Sequence, residues 1–410
     1  HSSGSASLGL ERFANPPEKA LCYSAAARLN PISIPMIDWV TGIPSRDAKR
    51  SMPRWIPTLL TLTMVLFSAV PLAAGEKIVI AHRGASGYLP EHSLAAKAAA
   101  HVMGADFIEQ DLVLTRDGRL VVLHDLHLDR VTDVAAVFPD RQRSDGHFYV
   151  IDFSLEELRR LSLTERVEIR EGQAVPRFPG RFPPGKSAFR ISTFEEEIEL
   201  IRGLNHSTGR TAGLYPEIKA PAFHRREGRD ISRAVLEVLN AYGYTRRSDP
   251  VYLQCFDPRE LKRLRRDLLP QMGMDLRLVQ LIAETAWKTT LIFEGGRAKP
   301  YDFGWMLASG AMKAVAAYAD GIGPWLGMIV KESSTSDNLH FSGLVTEAHA
   351  ANLVVHPYTF RADKGFIPPY AADFENFLSI FLFQAGVDGV FTDFPDRTVA
   401  FLQRQTRNRP

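Results

Sequence analysis

Eight short runs rich in β-branched residues recur along the chain, near 77–82, 107–114, 213–218, 250–256, 276–282, 317–322, 352–356 and 387–392, with helical stretches between them. Strands that alternate with helices return over the same sheet, so they pair in parallel and are buried on both faces. Eight such units predict an α/β fold of the (β/α)8, TIM-barrel type. An open doubly wound sheet fits less well, because "HRGASG" after the first run lacks the G-x-G-x-x-G spacing of a dinucleotide-binding turn.

One run stands outside this count. "RLVVLHD" at 119–125 follows "FIEQDLVLT" with only "RDGR" between them, and Asp117-Gly118 is a favoured two-residue hairpin turn. A hairpin closed by that turn sets Arg116 opposite Arg119, Leu114 opposite Val121 and Asp111 opposite His124. Glu109, Asp111 and His124 would then share one face. From Leu126 to Arg190 the rhythm stops, and "PRFPGRFPPGKSAFR" is dense in Pro, Gly and Arg. About 126–190 is therefore expected to be a subdomain inserted after the hairpin and capping the barrel mouth. The next helix is expected to begin at Ser192 or Thr193, with Thr193 and Glu196 at capping-box spacing.

The beginning of the chain reads differently. Residues 56–74 are uncharged, preceded by "RDAKRSMPR" and followed by small residues, the order of a secretory signal. Met52 would start it, so 52–75 is read as a signal peptide cleaved near Ala74 or Gly75. A membrane anchor is the competing reading of so long an apolar run; Pro57, Pro71 and the small-residue exit favour cleavage. Residues 1–51, without an initiating Met or clear periodicity, are set aside as a leader (tag, misassigned start or disordered segment), 76–405 as the folded domain and 406–410 as a tail. The expectation is a periplasmic or extracellular protein, touching membrane only through its signal peptide. Oligomeric state is not legible, a homodimer being one expectation.

Lys and Arg number 49 against 47 Asp and Glu, and no basic stripe interleaved with aromatics appears, so no nucleic-acid partner is expected. Two cysteines, Cys22 and Cys255, exclude a disulfide framework and a CxxC metal site. Any metal must bind oxygen or imidazole, and Cys255 reads as a small core residue.

In a (β/α)8 barrel, polar residues at the C-terminal strand ends line the active site. Those residues are His82, Arg83, Glu109, Asp111, His124, Asp125, Glu217, Lys219, Gln254, His356, Tyr358 and Asp393. Glu109 and Asp111 alone would be an ordinary solvated pair. Glu217 in "LYPEIKA" adds a third carboxylate, and three carboxylates without a thiol suit calcium or magnesium. Zinc is the alternative if His82 and His124 were ligands, but Arg83 beside His82 suits an anion instead. A cation, Arg83, Lys219 and two imidazoles together describe phosphate-ester cleavage, with one imidazole taking a proton from the nucleophile and the other giving one to the leaving oxygen. His92, His101, His206, His224, His340 and His349 read as solvated or local caps. His356, Gln254 and Asp393 divide evenly between rim and structural roles.

At this point the chain resembles the glycerophosphodiester phosphodiesterase family, in its exported bacterial type. The matching text is "AHRGASGYLPEHSLAA", "IEQDLVLTRDGRLVVLHDLHLDRVTDV", "YPEIKAP", "VHPYTFR" and "VDGVFTDFPD", in family order from about Lys77 to Leu402. The resemblance implies a barrel with an inserted subdomain and one divalent cation, generally calcium. It implies metal-binding carboxylates at Glu109, Asp111 and Glu217, catalytic histidines at His82 and His124, and Arg83 on the phosphate, with Lys219 matching the lysine after the third ligand. The implied substrates are small glycerophosphodiesters such as glycerophosphocholine or glycerophosphoethanolamine, cleaved to sn-glycerol 3-phosphate and an alcohol. Gln254, Trp325, Tyr358 and Phe391 are candidate pocket residues. Water attacks phosphorus directly, or the glycerol 2-hydroxyl attacks first and water opens a cyclic phosphate. A phospholipase or lysophospholipase D-like enzyme on lipids is the nearest competitor, and an apolar mouth rim would favour it; the Arg, Asp and Pro of the insertion favour a soluble diester. A non-catalytic surface binding protein would be expected to lack some of these groups, and a zinc-dependent carbohydrate deacetylase needs histidine spacing that is absent.

Overall fold

The computed structural model describes residues 76–407 except 187 and 296. The leader and signal-peptide readings at 1–75 lie outside the described residues, as do 408–410. Eight parallel strands run in chain order: β1 (Ile78–Ala81), β2 (Phe107–Leu114), β3 (Gly213–Ile218), β4 (Tyr252–Cys255), β5 (Arg277–Ile282), β6 (Gly321–Pro324), β7 (Val354–Val355) and β8 (Gly389–Thr392). Each pairs with the next from β1 to β7, and β8 pairs with β1. The seam between β7 and β8 has no ladder. It is bridged instead by Asp388 N to Val355 O (3.0 Å), Phe391 N to Pro357 O (3.1 Å) and Phe360 N to Phe391 O (2.8 Å). The fold is a nearly closed (β/α)8 barrel.

Side chains that alternate inward fill the barrel. Ile80, Tyr215, Val279 and Phe391 form its buried centre, with Phe107 and Tyr252 packed against them. Tyr215 stacks on Tyr252 at 5.1 Å and meets Phe391 edge-on at 4.9 Å. Room for these rings comes from small neighbours: a Cβ on Gly213 would lie 2.4 Å from the Phe107 ring. His356 belongs to this interior, its Nδ1 2.8 Å from the Tyr215 hydroxyl, so it is a buried structural partner rather than part of the rim.

Outside the barrel, the helix Phe194–Thr208 starts with the expected box: Thr193 Oγ1 accepts from Glu196 N, and Glu196 Oε2 accepts from Thr193 N. Such a cap contributes about 1 kcal/mol. The last helix, Pro395–Arg407, continues past the boundary drawn at 405. No helix among the described residues is long and apolar enough to cross a membrane.

The hairpin differs from its expected register by one residue. Leu112 faces Val122, Val113 faces Val121 and Leu114 faces Leu120. Gly118, at φ 77°, donates to Thr115 O, and Thr115 N donates to Arg119 O, which makes a three-residue loop. Thr115 Oγ1 secures it by accepting from Arg119 N (2.9 Å) and donating to Asp117 Oδ1 (2.6 Å). A threonine that bonds locally to the backbone shifts the pairing that Asp-Gly alone suggests. Asp111 therefore faces Leu123, whose N–H it accepts (2.9 Å), and His124 lies beyond the ladder. Val113, Val121 and Leu123, on the face that Asp111 shares but beyond the barrel mouth, seed a second core with Leu128, Val131, Phe148, Phe153, Leu161 and Ile191. That core roots the 126–190 segment on the hairpin.

Candidate active site

The mouth of the barrel is built first by a sharp turn. After β1, Arg83 and Gly84 both take left-handed backbone (φ 59° and 87°), and Gly84 N closes on Ala81 O. A Cβ at Gly84 would sit 2.8 Å from the Ala96 carbonyl, so only glycine fits. The turn leaves His82 at the strand end and brings Arg83 N to Glu109 Oε2 (2.9 Å).

Glu109, Asp111 and Glu217 project from β2 and β3 into the mouth, all buried, with ligand atoms within 4.8 Å of one another. Gln254 on β4 donates to Glu109 Oε1 at 3.0 Å. Lys219 Nζ lies 2.9 Å from Glu217 Oε1 and 3.9 Å from Asp111 Oδ1. His92, expected to be solvated or a cap, is instead buried, with Nε2 2.7 Å from Asp111 Oδ2. Lys97 Nζ lies 3.0 Å from its Nδ1. An ammonium can only donate, so His92 Nδ1 accepts and Nε2–H donates to Asp111. Burial, then Lys97, holds His92 down to about 3, so the ring is neutral. His101 and His224 are buried as well, bonded to Asn205 and to the Leu114 backbone.

These contacts leave Asp111 Oδ1 buried without a hydrogen-bond donor. Three converging carboxylates with one unpartnered oxygen fit a hard divalent cation. Electrostatics agrees. Burial, then the charge of Asp111, pushes Glu109 well above the usual carboxylate range. Burial pushes Glu217 up to about 8 against Lys219, with Asp111 adding to the rise. Burial would raise Asp111 too, but Lys219 and then His92 hold it well below. Burial and mutual repulsion thus raise the proton affinity of Glu109 and Glu217, and a bound cation would compete with those protons. Cation binding should release protons at pH 7, and apparent affinity should climb as pH rises toward 8 and weaken as it falls. Calorimetric titration in two buffers of different ionisation enthalpy checks this; equal heats would overturn it.

The two histidines expected in the site are both at the mouth, and each is tied to an aspartate. His82 Nδ1 lies 2.5 Å from Asp393 Oδ1, at the end of β8. His124 Nδ1 lies 2.5 Å from Asp125 Oδ1. With Nδ1–H on the carboxylate, each Nε2 keeps its lone pair. Burial holds His82 down to about 4, with Asp393 opposing and Arg83 assisting; His124, though a third of its side chain is exposed, is held down to about 4 by desolvation at the crowded mouth, with Arg83 and Lys219 assisting.

Both aspartates are gripped by arginines of the insertion. Arg166 donates to Asp125 Oδ2 (2.7 Å) and to both oxygens of Glu91 (2.6 and 2.8 Å), and Glu91 in turn receives Arg83 Nη1 (2.9 Å). Arg181 Nη2 donates to Asp393 Oδ2 (2.6 Å) and to Asp363 Oδ2 (2.7 Å), and Arg361 Nε adds a bond to Asp393 (2.9 Å). Sequence reasoning did not assign Glu91, Lys97, Arg166, Arg181 or Arg361. Asp393 had a signal, its place at a strand end; the others had none.

Of the pocket candidates, Trp325 lines the cavity wall against Trp287 (ring centroids 5.1 Å apart). Tyr358 donates to Ile282 O (2.9 Å), and Phe391 belongs to the aromatic core beneath the site. The mouth cavity is about 1820 Å³. Its rim carries exposed Ile169, Trp287 and Leu291 (54, 47 and 41 %).

The sequence pattern of the Glycerophosphoryl diester phosphodiesterase family matches residues 82–397. A glycerophosphodiester phosphodiesterase of Haemophilus influenzae is 52% identical over 80% of this chain and 90% of its own length. One of Treponema pallidum is 44% identical over 85% of this chain and 98% of its own. Among solved structures, a protein of Silicibacter pomeroyi superposes with a TM-score of 0.56 at 23% identity, over 81% of this chain and 94% of its own. An Oleispira antarctica phosphodiesterase, solved in complex with the product sn-glycerol-3-phosphate, does so with 0.50 at 21% identity, over 80% and 96%. At such identities the structural matches speak for the fold.

Proposed function

Because the chain belongs to the glycerophosphoryl diester phosphodiesterase family, we propose that it is an enzyme hydrolysing small, water-soluble glycerophosphodiesters, such as glycerophosphocholine, to sn-glycerol 3-phosphate and an alcohol. The observation that carries the reading is the convergence, at one barrel mouth, of three carboxylates around an unpartnered oxygen with two imidazoles whose Nδ1 atoms are fixed by aspartates. Glu109, Asp111 and Glu217 would hold the cation, calcium by preference over magnesium, which would neutralise charge on the non-bridging phosphate oxygens. Arg83, braced by Glu91, and Lys219 bind the phosphate. One Nε2 accepts the nucleophile's proton and the other protonates the leaving oxygen. Both rings start neutral, so the one that acts as acid gains its proton once the anionic phosphate sits beside it, since an adjacent negative charge raises an imidazole's proton affinity. The signal-like pattern at 52–75 supports work outside the cytoplasm, where calcium is at hand.

The exposed Ile169, Trp287 and Leu291 favour one second reading, action on lysolipids, because an apolar rim can rest on acyl chains. A steady-state assay of glycerophosphocholine beside lysophosphatidylcholine separates the two. Chelation should abolish release of glycerol 3-phosphate from the soluble diester, and calcium or magnesium should restore it. Activity that survives full chelation would refute the cation's role, and turnover of lysolipid alone would replace the first reading by the second.

A further inference from the structure

A second group of potential ligands lies on the insertion. Segments 126–129 and 147–150 run antiparallel: Leu128 N donates to Phe148 O (2.9 Å), Val150 N donates to Leu126 O (2.9 Å), and His127 is bridged with Tyr149. Extending that register sets Asp129 opposite His147. Alternation then puts His127, Asp129 and His147 on one face. One ligand atom from each lies within 4.8 Å of the other two.

Their bonding leaves them free to bind. Phe148 N occupies Asp129 Oδ2 (3.3 Å), while Asp129 Oδ1 stays 3.5 Å from His147 Nδ1. His127 Nε2 and His147 Nδ1 are shielded from water without a hydrogen-bond partner. The two rings stack 4.3 Å apart at 6°.

We propose that His127, Asp129 and His147 bind one divalent transition metal of the zinc type, with a fourth position open to the mouth cavity that all three line. Two imidazoles and one carboxylate are a borderline donor set suited to zinc, unlike the all-oxygen set of Glu109, Asp111 and Glu217. Ring lone pairs lie in the ring plane, so coordination turns the imidazoles out of their parallel stack. His147 is half exposed, and the turn disturbs little packing. The proposal stands apart from the hydrolytic reading, since it uses none of its residues.

The test is equilibrium dialysis of the intact chain against zinc in a large excess of calcium. One zinc per chain is expected. The His127→Ala/His147→Ala double variant should weaken it by about 100-fold or more, beyond the 10- to 100-fold cost of disturbing a ligand's supporting bond. Cobalt(II) should give visible bands that disappear in the same variant, while calcium-supported hydrolysis in zinc-free buffer stays unchanged. Zinc retained by the double variant would place the ion elsewhere on the chain and overturn the proposal. So would the absence of zinc binding to the parent protein.

Discussion

His124→Ala should hydrolyse glycerophosphocholine with kcat lower by about 10² to 10⁴-fold, the range for loss of a general acid or base. It is the cleaner of the two histidine tests. The His124 side chain is a third exposed, whereas His82 is enclosed and bonded to an aspartate that holds two arginines. Truncating His124 removes one bond to Asp125, whose second oxygen stays on Arg166. Thermal unfolding of the variant should therefore match the parent, and the loss should lie in turnover. Near-normal kcat in a folded His124→Ala protein would remove His124 from the reaction.

Lys97→Met should lower the free energy of unfolding by about 3–5 kcal/mol, the cost of breaking a buried ion pair by removing one partner. Lys97 and Glu197 are both fully buried, 3.0 Å apart, under the floor of the site. Burial already raises Glu197 from its ordinary 4.5 to about 7, against the pull of Lys97. A carboxyl raised on folding contributes stability below its unfolded value and loses that contribution as pH rises through its folded value. Without Lys97 the rise is unopposed, so the deficit should widen from roughly pH 6 to pH 8. Urea unfolding at several pH values measures it; a change under 1 kcal/mol at pH 8 would contradict the argument. Lys97→Met/Glu197→Leu should recover most of the stability, since apolar replacement of a buried pair is often neutral. Activity should not return with it. His92 would have lost the ammonium that fixes its tautomer toward Asp111.

Much of the candidate site was legible because its charged and imidazole groups stand at strand ends. "IAHRG", "FIEQDL" and "YPEIK" each pair an apolar run with polar residues at alternate positions, and the barrel brings those ends together. What supports them was not legible. Arg181 reaches Asp393 across 212 residues and Arg166 reaches Glu91 across 75, from a stretch whose Pro and Gly hide any period. His92 looked like a loop histidine because its burial follows from the left-handed turn that folds it beneath Arg83. The hairpin register failed on one threonine, whose hydroxyl chose a longer loop than Asp-Gly announces. Local pattern reports which groups reach the mouth; partners set by long-range packing leave no comparable trace.

The insertion's two arginines bear on how such a protein could be made smaller. Residues 126–190 stand outside the eightfold strand plan, and an engineer seeking a minimal catalyst would cut there first. Yet Arg166 and Arg181 anchor the aspartates behind both imidazoles, so the trimmed barrel would keep its acidic centre and lose the grip on its two histidines. A graft from a relative would have to bring in both guanidinium groups at the same reach. The segment that looks most like an accessory is part of what holds both imidazoles in place.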